Sequence, residues 1–574
     1  MTKERWTFKR PRTEEAQQIA ERFNLDPVVA GILAGRGFTT EQEVQDFLYG
    51  GRELLLDPFL LKDMDRACAV LKQAIAEKKR IRIIGDYDID GIMASYILKQ
   101  GFRELGGDVD VRIPDRLKDG YGINENMIRA AHEEGIEVIV TCDNGISSGS
   151  AVSLAKSFGM TVVVTDHHEV LSLPEEADAI VDPKREDDTY PNKNLCGAAV
   201  AWKLILALGA DREMKLLQFA GFATIGDIVD LTGENRALVK EALKDLRQTE
   251  NPGLCSLAET CGVALSAIST YHIGFVLGPC LNASGRLDTA MLALRLLESE
   301  SETEASRLAG ELKALNDRRK AMTEAGTEEA VRQIESGSLV DDRVLVVFLP
   351  EIHESIAGII AGRIRERYGR PTFILTRGEE CIKGSGRSTE AYSMFEELVK
   401  VKELLLKFGG HPMATGLSLD EKMIPVFRQR LNELCTLTEE EMIPKICIDA
   451  IVPVSRLNER MVEELKLFEP CGKANPHPLF GQKSVICEHP RIFGARRNVL
   501  KMKVRTVVEG GTQGNTGIML PPTEGIPVDA VCFRNIDEIS RKISDTPVHS
   551  IIYEPEMNEY MGRRRLQIVI SHFK

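Results

Sequence analysis

Short apolar runs at 81–84, 109–113, 137–141, 161–165 and 179–182 alternate with amphipathic stretches, a pattern that predicts a parallel sheet with helices on both faces. Residues 13–80 read as helices: Thr13-Glu14-Glu15 opens one with an acidic first turn, and Thr40-Glu41-Gln42-Glu43 opens another as a capping box. Helical spacing returns over 197–250. After the Gly278-Pro279 break, 289–335 runs in helix formers, with Glu, Lys and Arg outside and Leu and Ala inside, which predicts one long connecting helix. Arg343–Phe348 begins a second α/β unit that closes near Leu419. From about 446 the runs 450–454, 499–508, 529–533, 549–553 and 566–571 are punctuated by Gly and Pro, as a small β-barrel requires. Glu509–Asn515, rich in glycine, reads as a mobile loop, and no internal repeat is visible.

At 574 residues the chain is too long for one core, so roughly three to four domains are expected. Twelve cysteines without a C-x-x-C pair argue against a zinc ribbon and a disulfide framework, and for a reducing compartment. Met1–Arg12 has no apolar core of a signal peptide, and no stretch of about 18 apolar residues occurs, so a cytoplasmic protein without a membrane partner is expected. The 73 basic and 87 acidic residues give −14, against a general nucleic-acid binder. From 443 to 574, however, 19 Lys and Arg face 15 Asp and Glu, a local +4, which leaves −18 for the preceding 442 residues.

The predicted strands of the first sheet end in acids and imidazoles. Asp86-Tyr87-Asp88-Ile89-Asp90-Gly91 follows the first run, Cys142-Asp143-Asn144-Gly145 the third, and Asp166-His167-His168 the fourth. Ligands bind beyond the carboxyl ends of such strands, and only a cation holds so many like charges together in ionised form. An EF-hand reading of Asp86, Asp88, Asp90 and Gly91 fails, because its position 12 would be Ile97 and a strand enters the loop. Thr224-Ile225-Gly226-Asp227-Ile228-Val229-Asp230 offers a further ligand. Asp227 is preferred over Asp230 because Gly226 permits close approach. Carboxylates with one histidine favour two Mn²⁺ or Mg²⁺ ions, with the imidazole tipping the choice to Mn²⁺. A shared Asp143 could bridge ions about 3.5–4 Å apart, the arrangement of two-metal phosphoester hydrolysis. No Ser/His/Asp or Cys/His arrangement and no nucleotide-triphosphate loop competes.

Asp-x-Asp-x-Asp-Gly, Asp-Asn-Gly, Asp-His-His and Gly-Asp-Ile-Val-Asp, in that order, resemble the DHH phosphoesterase superfamily. The wording Gly85-Asp86-Tyr87-Asp88-Ile89-Asp90-Gly91-Ile92 resembles its RecJ exonuclease family. Arg36-Gly37-Phe38, Asn282-Ala283-Ser284-Gly285-Arg286, Ser385-Gly386-Arg387-Ser388, Phe408-Gly409-Gly410-His411, Leu467–Pro470 and Asn475–Phe480 extend the likeness over most of the chain. The resemblance implies an N-terminal helical segment (1–80) packed on the DHH core, a DHH catalytic domain (81–288), a connecting helix (289–335), a DHH-associated domain (336–435) and an OB-like barrel (443–574). It implies a metal-dependent 5′-to-3′ exonuclease that degrades single-stranded DNA to 5′-mononucleotides in recombinational and mismatch repair. A small-substrate DHH hydrolase and a non-catalytic scaffold are the alternatives. By the family pattern Asp88, Asp90, Asp143, His167 and Asp227 would ligate metal, and Asp143, His168 and Asp86 would serve catalysis. Arg286, Ser385, Arg387, Ser388, Gly409, Gly410 and His411 would hold the substrate. The chain departs from the pattern at Glu351-Ile352-His353-Glu354-Ser355, where relatives read Gly-Trp-His-Glu-Gly, and at Cys280, where they carry Arg.

Lys501, Lys503 and Arg505 alternate with Met502 and Val504, so a strand would turn a basic face outward. With Arg496 and Arg497 they form a candidate DNA track in the barrel. Phe480, Phe493 and Phe533 are the candidate base-stacking platforms. A monomer is expected, with single-stranded DNA as partner, together with a helicase and a single-strand-binding protein.

Overall fold

The computed structural model describes residues 4–9, 12–116, 119–120, 122–494, 497–507, 523–546, 548–560 and 562–574. They form two units, one of 4, 55–230 and 234–444 and another of 5–54, 231–233 and 445–574. Glu509–Asn515 and Arg496 lie outside the described residues. Among the described residues no helix is long and apolar enough to cross a membrane.

In the first unit five parallel strands lie in the order Asp108–Arg112, Arg80–Ile84, Val138–Cys142, Thr161–Thr165 and Ala179–Val181. Ile81, Ile83 and Ile84 of the Arg80–Ile84 strand and all of Val138–Cys142 are buried, as expected for strands covered on both faces. The order reverses at Arg80–Ile84, since the chain moves to one side for 108–112 and to the other for 138–142. That switch point opens a crevice at the strand ends. Beyond the sheet the predicted single helix over 289–335 is two. Met291–Glu298 stops at Ser299, whose hydroxyl donates to the Ser301 carbonyl (3.0 Å), and Glu302–Ser336 begins afresh after Ser301. Serines that satisfy backbone groups locally favour such a break, and composition alone does not reveal it. A second, mixed sheet follows in the order Lys407–His411, Ala414–Leu419, Ile382–Arg387, Thr372–Arg377 and Leu345–Phe348; only the last pair is parallel.

The second unit is the barrel. Its main strands are Phe480–Phe493, Val499–Val507, Thr523–Cys532, His549–Tyr560 and Arg563–Phe573. Phe480–Phe493 escapes the sequence pattern because register shifts between Glu488 and Arg491, next to His489 at φ 54°, break its alternation. Phe480 is wholly buried and stacks on Tyr553, so it is a core residue and not a base-stacking platform. Phe493 and Phe533 are exposed.

The expected placement of the N-terminal helices needs correction. Thr13–Phe23, Pro27–Gly35 and Glu41–Tyr49 share a core with the barrel through Val29, Leu33, Val44, Phe468, Phe480 and Tyr553, and only the later part of 1–80 joins the first sheet. An apolar helix face is legible in sequence, but the surface that covers it is not. Arg36 locks this arrangement: its Nε donates to Asp449 Oδ1 (3.0 Å), Nη1 to Asn475 Oδ1 (3.0 Å) and Nη2 to Asp449 Oδ2 and the Pro476 carbonyl. Both members of the ion pair are buried, so removing one strands the other charge at a cost of about 3 kcal/mol. Arg36→Ala should therefore lower the melting transition of the barrel unit, followed through Trp6, which stacks on Lys574 in that unit. An unchanged transition would refute a shared core held by this residue.

Candidate metal and phosphate site

Each acidic cluster sits at a strand's carboxyl end because the chain turns there into a loop or helix. After Arg80–Ile84, Asp88 caps the helix Ile89–Glu104: its Oδ1 accepts from the amides of Asp90 (2.9 Å) and Gly91 (3.2 Å). Asp90 is buried, and its oxygens accept from the amides of Gly197 (2.6 Å) and Ala198 (2.7 Å), the first residues of the helix Gly197–Leu208. A helix N-terminus is a favourable seat for a carboxylate. Gly197 is required by space, since a Cβ there would come within 2.7 Å of the Asp143 Cβ. Asp143 itself is left-handed at φ 61°, a conformation that costs a non-glycine residue free energy and is common at functional sites. Asn144 of the same cluster is structural: it accepts from Ile123 N (3.0 Å) and donates to the carbonyls of Ile84 (3.0 Å) and Cys142 (2.9 Å), tying two strand ends together.

His167 draws the clusters together. Its Nε2 lies 3.0 Å from Asp143 Oδ1, 3.5 Å from Asp90 Oδ2 and 4.0 Å from Asp227 Oδ2. Three sets of potential ligand atoms result: Asp90, His167 and Asp227; Asp143, His167 and His168; and Asp86, Asp88 and Asp143. Asp227 ends the helix Leu217–Gly226 and is followed by Ile228 at φ 58°, an adverse geometry for a β-branched residue. Asp230, the other candidate on that segment, gives its carbonyl to Asn235 (3.1 Å).

The electrostatics fit a cation. Burial, then the neighbouring carboxylates, pushes Asp90 up to about 6 and Asp227 to about 7, and holds Asp86 and Asp143 well above the usual carboxylate range. Asp86 Oδ1 is buried with no hydrogen-bond partner among the described residues. The two histidines are driven apart. Burial and the neighbouring His168 lower His167, which favours the neutral form that a metal ligand needs. Burial also opposes charge on His168, yet the hydrogen bond from its Nδ1 to Asp166 Oδ1 (2.7 Å) lifts it to about 9. Hard oxygen donors with one neutral imidazole suit Mn²⁺ or Mg²⁺.

Asp166, the first residue of its motif, carries no role in the sequence reading beyond membership. It is the brace of the site, accepting from the amides of His167 (2.8 Å), His168 (3.3 Å) and Ile146 (2.9 Å) besides the His168 ring. Asn282 is also missed: its Oδ1 accepts from Ile89 N (2.8 Å) and fixes the Asp-rich loop from the helix Gly278–Leu287. Beside it Gly285 lets that helix touch the loop, since a Cβ would lie 2.0 Å from the Tyr87 carbonyl oxygen.

A cationic group faces the acids. Burial lowers Arg286 to about 10, and the charges of Arg116, Arg319 and Arg387 add to that while Asp88 opposes it. Arg286 Nη1 donates to the Ser355 carbonyl (2.7 Å), and Arg116 lies over the Tyr87 ring (4.8 Å). Arg387 is itself lowered by burial and by Arg365 and Arg116. Arg116 and Arg319 escape sequence reading, although Arg116 follows a strand end of the same sheet by four residues. A cleft of about 920 Å³ lined by Tyr87, Arg116, His353, Ser355 and Ser385 opens beside them. Gly409, Gly410 and His411 lie on the exposed edge strand of the second sheet. Ser388 is different: it is buried, and its hydroxyl donates to the Tyr392 carbonyl (2.5 Å), so the expected substrate contact is spent within the fold. At Cys280 a buried thiol accepts from Asn316 Nδ2 (3.2 Å).

On the barrel, Leu500, Met502, Val504 and Thr506 are buried while Lys501 and Lys503 are exposed, giving the expected alternation. The basic face is tempered by acids. Arg505 Nε donates to Glu488 Oε2 (3.1 Å), and Lys503 pairs across the sheet with Glu488 on one side and Asp529 on the other. Lys501 lies 5.5 Å from the centre of the exposed Phe493 ring and pairs with Arg491. Arg497 is exposed.

Residues 80–226 match the model of the DHH family N-terminal domain, 341–437 the DHHA1 domain and 448–572 the RecJ OB domain. The chain is 35% identical to the single-stranded-DNA-specific exonuclease RecJ of Bacillus subtilis, over 99% of this chain and 71% of the relative. To the protein of that name from Escherichia coli it is 32% identical, over 96% of each. Among solved structures, RecJ of Thermus thermophilus in complex with Mn²⁺ superposes with a TM-score of 0.82 at 28% identity, over 99% of this chain and 79% of the other. An exonuclease RecJ bound to manganese matches 68% of this chain and 97% of the other at 35% identity and a TM-score of 0.59.

Protons and metal compete for this cluster. Carboxyls raised in the folded state stabilise it at low pH and lose that contribution as pH rises through about 6 to 7, the values of Asp90 and Asp227. A bound cation needs them ionised. The rise in melting temperature on adding MnCl₂ to chelator-treated protein should therefore be larger at about pH 8 than at about pH 5. An equal rise at both would contradict metal binding by these carboxylates.

Proposed function

This chain belongs to the RecJ family of the DHH superfamily and is a phosphodiester-hydrolysing enzyme of that family, and we propose that it removes mononucleotides from the 5′ end of single-stranded DNA with two Mn²⁺ or Mg²⁺ ions. The observation that carries the reading is the pairing of opposites: three ligand sets linked through Asp143 and His167, with a group of half-buried arginines beside them. The family resemblance supports the proposed polarity and product.

Asp88, Asp90, Asp143, His167 and Asp227 are assigned to the ions, with Asp143 shared, and Asp86 completes the second acid set. Bound there, the ions supply a water of lowered pKa and neutralise charge on the phosphate. The protein's own contribution is placement. Asp166 fixes both histidines, and Asn282 fixes the Asp-rich loop. His168, cationic at neutral pH, is available to a phosphate oxygen or to donate a proton to the departing one. Arg286, Arg116 and Arg387 would hold strand phosphates, with Ser385 and the Gly409-Gly410-His411 edge around the terminal nucleotide. In the barrel, Lys501 with Phe493 offers one charge and one ring to a flexible strand. Arg497, Lys503 and Arg505 add weaker charge. The working domain limits are 81–288, 289–335, 336–435 and 443–574. A helicase and a single-strand-binding protein are the proposed partners in repair.

Oligonucleotides labelled at the 5′ or 3′ end test the reading. With Mn²⁺ or Mg²⁺, a 5′ label should appear at once in mononucleotide, whereas a 3′ label should stay in shortening strands. Action on duplexes alone, or from 3′ ends, would overturn it. Turnover of short oligonucleotides or cyclic dinucleotides without salt-sensitive binding to long strands would favour a small-substrate hydrolase instead. Asp143→Ala should lower kcat by at least about a thousandfold while strand binding largely persists; parallel loss of both would contradict a shared metal ligand. Lys501→Glu should weaken binding and reduce its salt slope by about one, and an unaltered slope would remove Lys501 from the track.

A further inference from the structure

Two cysteines meet behind the arginines. Cys261 caps the end of the helix Pro252–Thr260 and is half-buried, Cys280 lies in the first turn of Gly278–Leu287 and is buried, and their Sγ atoms are 3.7 Å apart. A disulfide has an S–S length of about 2.05 Å, so the pair must close by about 1.6 Å. A side-chain rotation of either residue supplies a movement of that size. The sulfurs are inequivalent. The hydrogen bond from Cys280, with Lys313 and Lys320 nearby, brings Cys261 down to about 7, whereas that same bond and burial push Cys280 up. The accessible sulfur is thus the nucleophile, and the buried one is the resolving thiol.

The buried thiol is wired to the phosphate-binding group. Cys280 Sγ accepts from Asn316 Nδ2 (3.2 Å) and lies 3.3 Å from the Val276 carbonyl oxygen. Asn316 Oδ1 in turn accepts from Arg319 Nε (3.0 Å) and Nη2 (2.9 Å), and the charge of Arg319 acts on Arg286. Cys280 also shares its helix with Asn282, Gly285 and Arg286. Turning Cys280 Sγ toward Cys261 removes the acceptor of Asn316 and frees the residue that orients Arg319.

We propose that Cys261 and Cys280 form a peroxide-responsive disulfide that loosens the hold of the arginine group on substrate. The Cys261 thiolate attacks a hydroperoxide oxygen: an S–O bond forms, the O–O bond breaks, and the departing oxygen takes a proton and leaves as water or alcohol. The resulting sulfenic acid is attacked by Cys280. The S–S bond forms as the S–O bond breaks, and the second oxygen leaves as water with the Cys280 proton. With hydrogen peroxide, two thiols and one peroxide give one disulfide and two waters. The consequence for catalysis rests on the function proposed above; the disulfide itself does not.

The test treats the full chain, in magnesium, with hydrogen peroxide and then dithiothreitol. Peptide mapping under non-reducing conditions should find Cys261 linked to Cys280 with the loss of two hydrogens. The KM for a single-stranded oligonucleotide should rise about fivefold with a smaller change in kcat, and dithiothreitol should reverse both. Cys261→Ser, with Cys261→Ala as a second variant and both checked by thermal melting, should keep its KM in peroxide. Absence of the link, a link that leaves KM unchanged, or equal peroxide loss in the Cys261 variants would each overturn the proposal. Inactivity of the untreated chain on single strands would instead count against the proposed function, while the mapping still decides the disulfide.

Discussion

Carboxylates crowded at the ends of neighbouring parallel strands are the constraint on which this structure turns. Parallel strands deliver their carboxyl ends to one edge, and where strand order reverses, the loops part and leave a crevice there. Asp86, Asp88, Asp90, Asp143 and Asp227 converge on that place with His167 among them. Alone, such a group suppresses its own ionisation, as the raised carboxyls show. The fold spends further geometry to keep them there: the left-handed Asp143, the glycine at 197 and the helix N-terminus that holds Asp90. A divalent cation resolves the conflict, which is why a metal site accounts for these features better than a solvated acidic loop would.

The opposite charge is arranged with equal care. Arg286 and Arg387 are half-buried, and each is lowered by the charge of other arginines, a costly state unless an anion joins them. Ions, acids and guanidiniums together can surround a phosphate on several sides, and His168, made cationic by Asp166, adds one more contact. The barrel contributes less charge than its sequence suggests, because Glu488 and Asp529 flank Lys503 and Glu488 also holds Arg505. Its remaining feature is Lys501 beside an exposed ring, a surface suited to a flexible strand.

Much of this was legible in the chain. The five runs of the first sheet fall within a residue or two of its strands, since the inner parallel strands are short and mostly apolar. The acidic clusters were legible because each follows such a run. Positions fixed by tertiary partners were not. Arg116 and Arg319 become members of the site only when distant elements pack, and Ser388 has the right chemistry but gives it to Tyr392. The helices of 13–49 show an apolar face without showing that Phe468 and Tyr553 would cover it. Phe480–Phe493 hid behind its bulge, and the break at Ser299–Ser301 was masked by helix formers on either side.

Anomalous diffraction from crystals soaked in manganese addresses the metal site directly. Two peaks about 3.5–4 Å apart, one beside His167, Asp90 and Asp227 and the other beside Asp86 and Asp88, with Asp143 reaching both, are the expected result. Density without a peak at Asp143 and His167 would contradict it.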